Sequence, residues 1–344
     1  MCDKFKTFLI FLSIPCCFGQ DINPLVSFLY CQNEFDIIPN NCDQFKFPVV
    51  SQAICSPKIP PNPLNFSSTY SPPSDKKKMM LTLTNVFEHA SKIINYAFCE
   101  NIGDGRGYTC GSVGFATGTS NALTVIEEYK ARGGRSELFK YIPELQRLAT
   151  SNDCSVPRGD ISKLKGFPEI WQKDSCQILF RIVQDEMADY LFFLPSMKLA
   201  TEMGIKTNLG KAIFYDTAVQ HGWQFDDGTS LLSIINLTGP LAGQNEILWL
   251  EKFLTIRRKL LCCYPNNVWP ASADRVSDLM DLLKAGNLNL TAPLTLSAYK
   301  SVITGEEDTE NLCSASALPP VSSALTVAPS LVLNGVLSIL YLLR

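Results

Sequence analysis

The chain has 344 residues, 46% of them apolar, enough to bury a large core in one big or two small domains. Its formal charge of −3, from 30 Lys and Arg against 33 Asp and Glu, argues against a nucleic-acid partner. Its two histidines, His89 and His221, argue against a histidine metal cluster, and no metal or cofactor is expected.

Residues 1–19 read as a signal peptide: Lys4 and Lys6, an apolar run through Phe8 to Leu12, then small residues at Cys17 and Gly19 before a cut at Gln20. Thirteen cysteines less the three in that leader leave ten, an even number that reads as disulfides in a secreted chain, with connectivity open. Residues 20–76 form a Cys- and Pro-rich segment with Cys31, Cys42 and Cys55, ending in a Pro-rich linker. At least one of those three must pair elsewhere or stay unpaired. Sequons at Asn65, Asn236 and Asn289 fit the secretory route.

Residues 77–312 form the main domain. Leu83, Phe87, Ala90, Ile94 and Ala97 recur at helical spacing from Met79 onward, with Glu88 on the opposite face. A glycine-rich stretch, Glu100 to Thr109, breaks that helix. Gly111 to Phe115 suits a short hairpin or tight turn. A helix with Ser120 as N-cap runs to Gly133-Gly134, and later helices are predicted over Cys176–Tyr190, Gly210–Gln220, Glu246–Leu261 and Asp274–Ala285. Residues 313–344 carry Ser314-Ala315-Ser316, a polar spacer and an apolar tail from Leu331 to Leu343, the order of a GPI-anchor signal. A short type I anchor or a merely sticky tail are the alternatives.

The chemistry concentrates in Glu100-Asn101-Ile102-Gly103-Asp104-Gly105-Arg106-Gly107-Tyr108-Thr109. Glycines on both sides of Asp104 leave its carboxylate unshielded, and a second acid, Glu88, lies one helix-length upstream. Two carboxyls on different elements suffice to hydrolyse a glycosidic bond, one donating a proton and one activating water. The bland readings are a solvated helix face for Glu88 and an Asp-Gly turn for Asp104. Other classes fit less well. Ser112 lacks the Gly-x-Ser-x-Gly setting, and Tyr108 stands where a dinucleotide fingerprint needs glycine. On the residues alone, His221 reads as structural and Arg257-Arg258 as a helix-surface pair.

The run from Glu100 to Thr109, followed by Val113-Gly114-Phe115 and Gly118-Thr119, resembles the bacterial-type chitosanases of glycoside hydrolase family forty-six. Further anchors fall in the family's order: Trp171, Gln184-Asp185-Glu186, Leu209-Gly210, Tyr215-Asp216, His221-Gly222, Phe253-Leu254 with Arg257, and Lys284 to Leu290. The resemblance spans Leu81 to Tyr299. It implies a mostly α (α+β), two-lobed, lysozyme-like fold with a small β element beside a cleft. It implies endo-hydrolysis of β-1,4 links in chitosan or partly acetylated chitin, with inversion. Glu88 matches the general acid, Asp104 the general base and Thr109 the residue that holds the attacking water. Arg106, Asp216, His221 and Arg257 match cleft supports, with Glu100 and Glu246 as substrate-side acids. A carboxyl separation of about 6.5–9.5 Å is expected.

Three departures from the family stand out. The path from Glu88 to Asp104 is two residues shorter. Asn121 stands where an aspartate usually meets the glucosamine amine. No arginine lies between Leu231 and Glu246, where relatives carry a buried one bridging the equivalents of Asp216 and Arg257. The expected partner is a polysaccharide, the expected state a monomer at the cell surface or outside the cell, attached there by a lipid anchor if the tail is processed. A cell-surface carbohydrate-binding protein without turnover is the main rival, and a disulfide-stapled structural surface protein a third reading.

Overall fold

A computed structural model describes residues 31, 39–45, 72–150, 158–224, 228–264 and 268–307. The leader, the Asn65 sequon, Cys55, Cys154, Cys313 and the C-terminal tail lie outside the described residues. Among the described residues no helix is long and apolar enough to cross a membrane.

The first helix, α1 (Ser74–His89), buries Met79, Met80, Leu83, Val86 and Phe87. It ends earlier than the apolar spacing predicts. Asn85, itself buried, turns its amide onto the Ser91 and Ile93 carbonyls at 2.6 and 2.9 Å. These bonds compete with continuation of the helix, and Ala90 goes left-handed at φ 50°. Glu88 therefore sits in the last turn, at a helix end rather than mid-face.

Three two-residue strands follow, β1 (Cys99–Glu100), β2 (Thr109–Cys110) and β3 (Phe115–Ala116), antiparallel in the order β1-β2-β3. The register sets Glu100 opposite Thr109, and Thr109 opposite Ala116. The β2–β3 turn is the tight hairpin expected at Gly111 to Phe115. Helix α2 (Asn121–Ala131) begins after Ser120 as expected, but Ser120 does not cap it. At φ 68° its hydroxyl donates to the Thr119 carbonyl instead, and its own carbonyl accepts from Thr124. Helices α3 (Ile142–Thr150) and α4 (Phe167–Asp174) were not expected, although each buries an apolar face, Leu145, Leu148 and Ala149 in α3 and Phe167 and Trp171 in α4.

Helix α5 (Ile178–Ala188) continues through a π-helical turn (Asp189–Phe193) into α6 (Leu194–Met203). The helix predicted over Cys176–Tyr190 thus runs on to Met203. The wider turn, with the Leu194 amide on the Asp189 carbonyl, lets the rod accommodate a proline that has no N–H to give. Helices α7 (Asn208–His221), α8 (Leu231–Thr238), α9 (Glu246–Cys263), short α10 (Val268–Ala271) and α11 (Asp274–Lys284) complete the helical part. Hairpin β4 (Leu294–Leu296) and β5 (Ser301–Ile303) closes the described chain. Of these helices only α8 and α10 were missed. The apolar residues of α8 cover most of its circumference and leave no clear period.

The core forms around two groups of helices. Helices α2 to α5 pack about the small sheet, with Phe115, Phe167 and Phe180 each in ring contact with Trp171. Helices α7, α8, α9 and α11 pack together, with Phe214, Trp249 and Phe253 stacked at their centre. Each of these fully buried side chains contributes about 1.5–3 kcal/mol. Helix α1 bears on α7 and β5, which brings Glu88 to the second group.

Three disulfides lie within the described residues. Cys42–Cys263 straps the 3-10 turn Pro39–Gln44 to the C-terminal end of α9, and Cys31–Cys262 ties Cys31 to the same helix end. Cys31 and Cys42, the two of the segment's three cysteines within the described residues, thus pair with the main domain, not with each other. Cys99–Cys110 ties β1 to β2 at the base of the Glu100–Thr109 loop.

Candidate active site

The loop between β1 and β2 carries Asp104 and Arg106, held from three sides. The strand register and the Cys99–Cys110 bridge close its base. Gly107 adopts φ 80°, and a β-carbon there would lie 2.3 Å from Thr117 Oγ1, a hydroxyl that accepts from the Tyr108 amide. Gly159 presses on the loop from outside, where a β-carbon would meet the Gly105 carbonyl oxygen at 2.4 Å. Within the loop, Asp104 Oδ1 accepts the Arg106 amide at 2.9 Å and Oδ2 accepts Arg106 Nε at 2.6 Å. The Asp104 side chain is only 7% exposed, so this charge-assisted pair fixes its carboxylate in one orientation.

Thr109 follows on β2. It is buried, and its hydroxyl makes no hydrogen bond to another protein group. A β-carbon at Gly114 would lie 3.0 Å from Thr109 Cγ2 and 4.0 Å from Glu88 Oε2. The Thr109 side chain and the Glu88 carboxyl thus flank one glycine, whose missing side chain leaves the space between them. Glu100, the cross-strand neighbour of Thr109, is exposed.

Glu88 is anchored from the other group of helices. Arg275, on the first turn of α11, donates to Glu88 Oε1 at 2.6 Å. The same guanidinium stands 3.3 Å from Asp216 Oδ1, and Arg257 lies 2.7 Å from Asp216 Oδ2. Asp216 and Arg257 are completely buried. Burial alone would lower the Arg275 pKa, but the carboxylates of Asp216 and Glu88 overcome it and raise it. For Arg257 burial prevails, aided by Arg275 and opposed by Asp216, and its pKa is lowered. The order Arg257–Asp216–Arg275–Glu88 is an alternating string of charges reaching from the helical core to the site.

No arginine lies between Leu231 and Glu246, as the sequence reads, but an arginine that the sequence reading did not single out, Arg275 on α11, joins Asp216 to Glu88. Its signal was its spacing: Arg275, Leu279, Leu282 and Leu283 share the buried face of α11, so Arg275 points inward. Arg257-Arg258 is likewise no surface pair. Arg257 meets Asp216, and Arg258 is buried, donating to the Ala273 carbonyl and the Ser277 hydroxyl at 2.6 and 2.7 Å.

His221, at the end of α7, is buried and accepts Arg257 Nε on its Nε2 at 3.3 Å, which puts its proton on Nδ1. Burial and then the cations Arg257, Arg275 and Arg106 hold its pKa well below the usual histidine value. Tyr299 was not foreseen. It packs edge-on to Phe87 with ring centroids 5.0 Å apart, and its hydroxyl lies 3.4 Å from the Phe87 carbonyl, beside Glu88. Burial, above all, raises its pKa.

Two further expected residues stand apart from this cluster. Glu246 accepts the Lys206 and Thr207 amides, both at 3.0 Å, and the Thr207 hydroxyl at 2.6 Å. These bonds fix the turn ahead of α7. Asn121 begins α2, half-buried, with a neutral amide. Among the described residues no group of three or more His, Cys, Asp or Glu could hold a metal ion.

Two carboxyls from separate elements, each locked by its own arginine, with a buried hydroxyl beside one glycine of space, are the parts of a glycoside hydrolase. Comparison with known proteins gives the family. The model of glycosyl hydrolase family 46 matches residues 82–294, and the chain belongs to that family. A chitosanase of Bacillus subtilis (strain 168) is 38% identical over 230 residues, covering 64% of this chain and 81% of the relative. A chitosanase of Streptomyces sp. (strain N174) is 28% identical over 233 residues, covering 65% and 80%. The crystal structure of a native chitosanase from Bacillus subtilis MY002 matches with a TM-score of 0.64 at 36% identity, over 68% of this chain and all of that one. A Gynuella sunshinyii family 46 chitosanase in complex with chitotetraose matches with a TM-score of 0.63 at 34% identity, over 68% of this chain and 98% of that one.

Two predictions follow from the charge string. Asp216→Ala leaves two buried guanidiniums facing each other, so urea unfolding is expected to show a loss of about 3–5 kcal/mol. An unchanged midpoint would mean the string carries no load. For His221 the folded pKa lies below the unfolded one, so at low pH the unfolded chain binds a proton that the folded chain refuses. Its contribution to stability is complete above about pH 6.5 and declines below it, by up to about 1.4 kcal/mol per pH unit. The fall in urea midpoint from pH 7.5 to 5 should be shallower in His221→Gln.

Proposed function

We propose that this protein is a secreted endo-chitosanase that cleaves β-1,4 links of chitosan or partly acetylated chitin with inversion at the anomeric carbon. The reading is carried by the pairing of Glu88 with Arg275 on one element and of Asp104 with Arg106 on another, with Thr109 facing Glu88 across Gly114. Glu88 donates a proton to the leaving glycosidic oxygen. Asp104 takes a proton from water, and the Thr109 hydroxyl orients that water toward the anomeric carbon. Arg275 steadies the Glu88 carboxylate that results from its proton transfer.

The substrate class is supported by the relatives. Besides the chitotetraose complex, a mutant of the Bacillus subtilis MY002 chitosanase is known in complex with 6 GlcN. Exposed Glu100 beside Thr109 supplies a negative charge for a glucosamine ammonium. Asn121 offers a neutral hydrogen bond where a carboxylate would attract that cation, which shifts tolerance toward acetylated rings. Export is supported by the three disulfides, which persist in oxidising compartments. Attachment through a C-terminal lipid and a monomeric state complete the proposal.

The test uses purified protein and chitosans of graded acetylation. Wild type should release reducing ends. Glu88→Gln and Asp104→Asn should each lower kcat by about 10²–10⁴-fold while still binding chito-oligosaccharides. Full activity in either variant would refute the assigned role. Binding by wild type without release of reducing ends would favour the non-catalytic carbohydrate-binding reading.

A further inference from the structure

His89 follows Glu88 directly, and no step of the reaction uses it. Its Nε2 lies 3.3 Å from the Ser112 carbonyl oxygen, and its ring packs on Phe98 with centroids 5.1 Å apart. Ser112 belongs to the turn Gly111–Gly114, whose far end is the glycine between Thr109 and the Glu88 carboxyl. Other bonds hold the same turn from behind. The Ser112 amide donates to Gln184 Oε1 at 3.2 Å, and the Gly111 amide donates to the Phe98 carbonyl at 2.7 Å. The Ser112 N–H thus faces the α5 rod, while its C=O faces the end of α1.

We propose that His89 is a positioning residue: its Nε2–H donates to the Ser112 carbonyl and pins the Gly111–Gly114 turn to the last turn of α1, fixing the distance between Glu88 and Thr109. Without that donor the Ser112 carbonyl loses its tie to the acid's helix, and the wall between proton donor and attacking water can slide along α1. A shift of about 1 Å in such geometry costs on the order of 100-fold in rate. The charged groups that act on His89 are Glu88 and Arg275. Burial, above all, keeps its pKa below the usual value although Glu88 pulls it up. The imidazole therefore stays neutral with its proton on Nε2, and it does not compete with Glu88 as proton donor.

The inference rests on the assignment of Glu88 as general acid, and its test has one arm that does not. Two-dimensional ¹⁵N–¹H NMR of wild type at pH 6.5 should show His89 as the neutral Nε2–H tautomer. The Nδ1–H tautomer or an imidazolium would overturn the proposal whatever the substrate. In kinetics on chitosan, His89→Leu should lower kcat about 10- to 100-fold with KM within about twofold. His89→Gln, whose amide nitrogen reaches the Nε2 position and can donate to the same carbonyl, should recover most of that loss. Wild-type kcat in His89→Leu, or equal losses in both variants, would overturn it. Should His89→Leu fail to fold, the tautomer and the kcat of His89→Gln decide.

Discussion

Asp216 is the constraint on which the rest of the site depends. It is a carboxylate with no access to water, placed between the guanidiniums of Arg257 and Arg275. In the low-dielectric interior none of the three could stand alone, because an unpaired buried charge costs several kcal/mol. Their mutual need sets how α7, α9 and α11 pack, and the surplus positive charge of Arg275 is directed at Glu88. The acid is positioned from the core outward. His221 belongs to the same arrangement: it has to be neutral, since cations surround it and Arg257 uses its free lone pair. The two disulfides at Cys262 and Cys263 brace α9 little more than a turn beyond Arg257.

The opposite side is built by local means. The loop carrying Asp104 is closed by its strand register, tied at its base by Cys99–Cys110, and backed by Gly159. Asp104 is held by the amide and side chain of Arg106, two residues on. One carboxyl is thus governed by long-range packing and the other by a short segment that nearly specifies itself. Across Gly114 it is the Thr109 side chain that meets the Glu88 carboxyl, and His89 ties the end of α1 to the turn that contains that glycine.

This division explains what could be read in the sequence. The loop was legible because its geometry is local: glycines with positive φ, an Asx-type bond from Asp104 to Arg106, and strands two residues long. Helices α7, α9 and α11 were legible from their apolar period and end signals. The π-helical turn that carries α5 past Pro195 was not, because a proline reads as a stop unless the turn before it widens. Arg275 was missed for a similar reason. No local rule says which arginine will reach a buried aspartate 59 positions earlier in the chain, and only its place on the apolar face of α11 hinted at it. The early end of α1 was hidden in Asn85, whose amide captures two carbonyls ahead of it.

The central claim is that Glu88 and Asp104, each locked by its own arginine, act on opposite faces of one sugar ring with a water between. The most direct measurement is the anomeric form of the first products, followed by ¹H NMR during early hydrolysis of chito-oligosaccharides by the wild-type protein. Single displacement by water predicts that the α-anomer accumulates first and then relaxes toward equilibrium by mutarotation. Early accumulation of the β-anomer would mean a covalent intermediate, and would contradict the account.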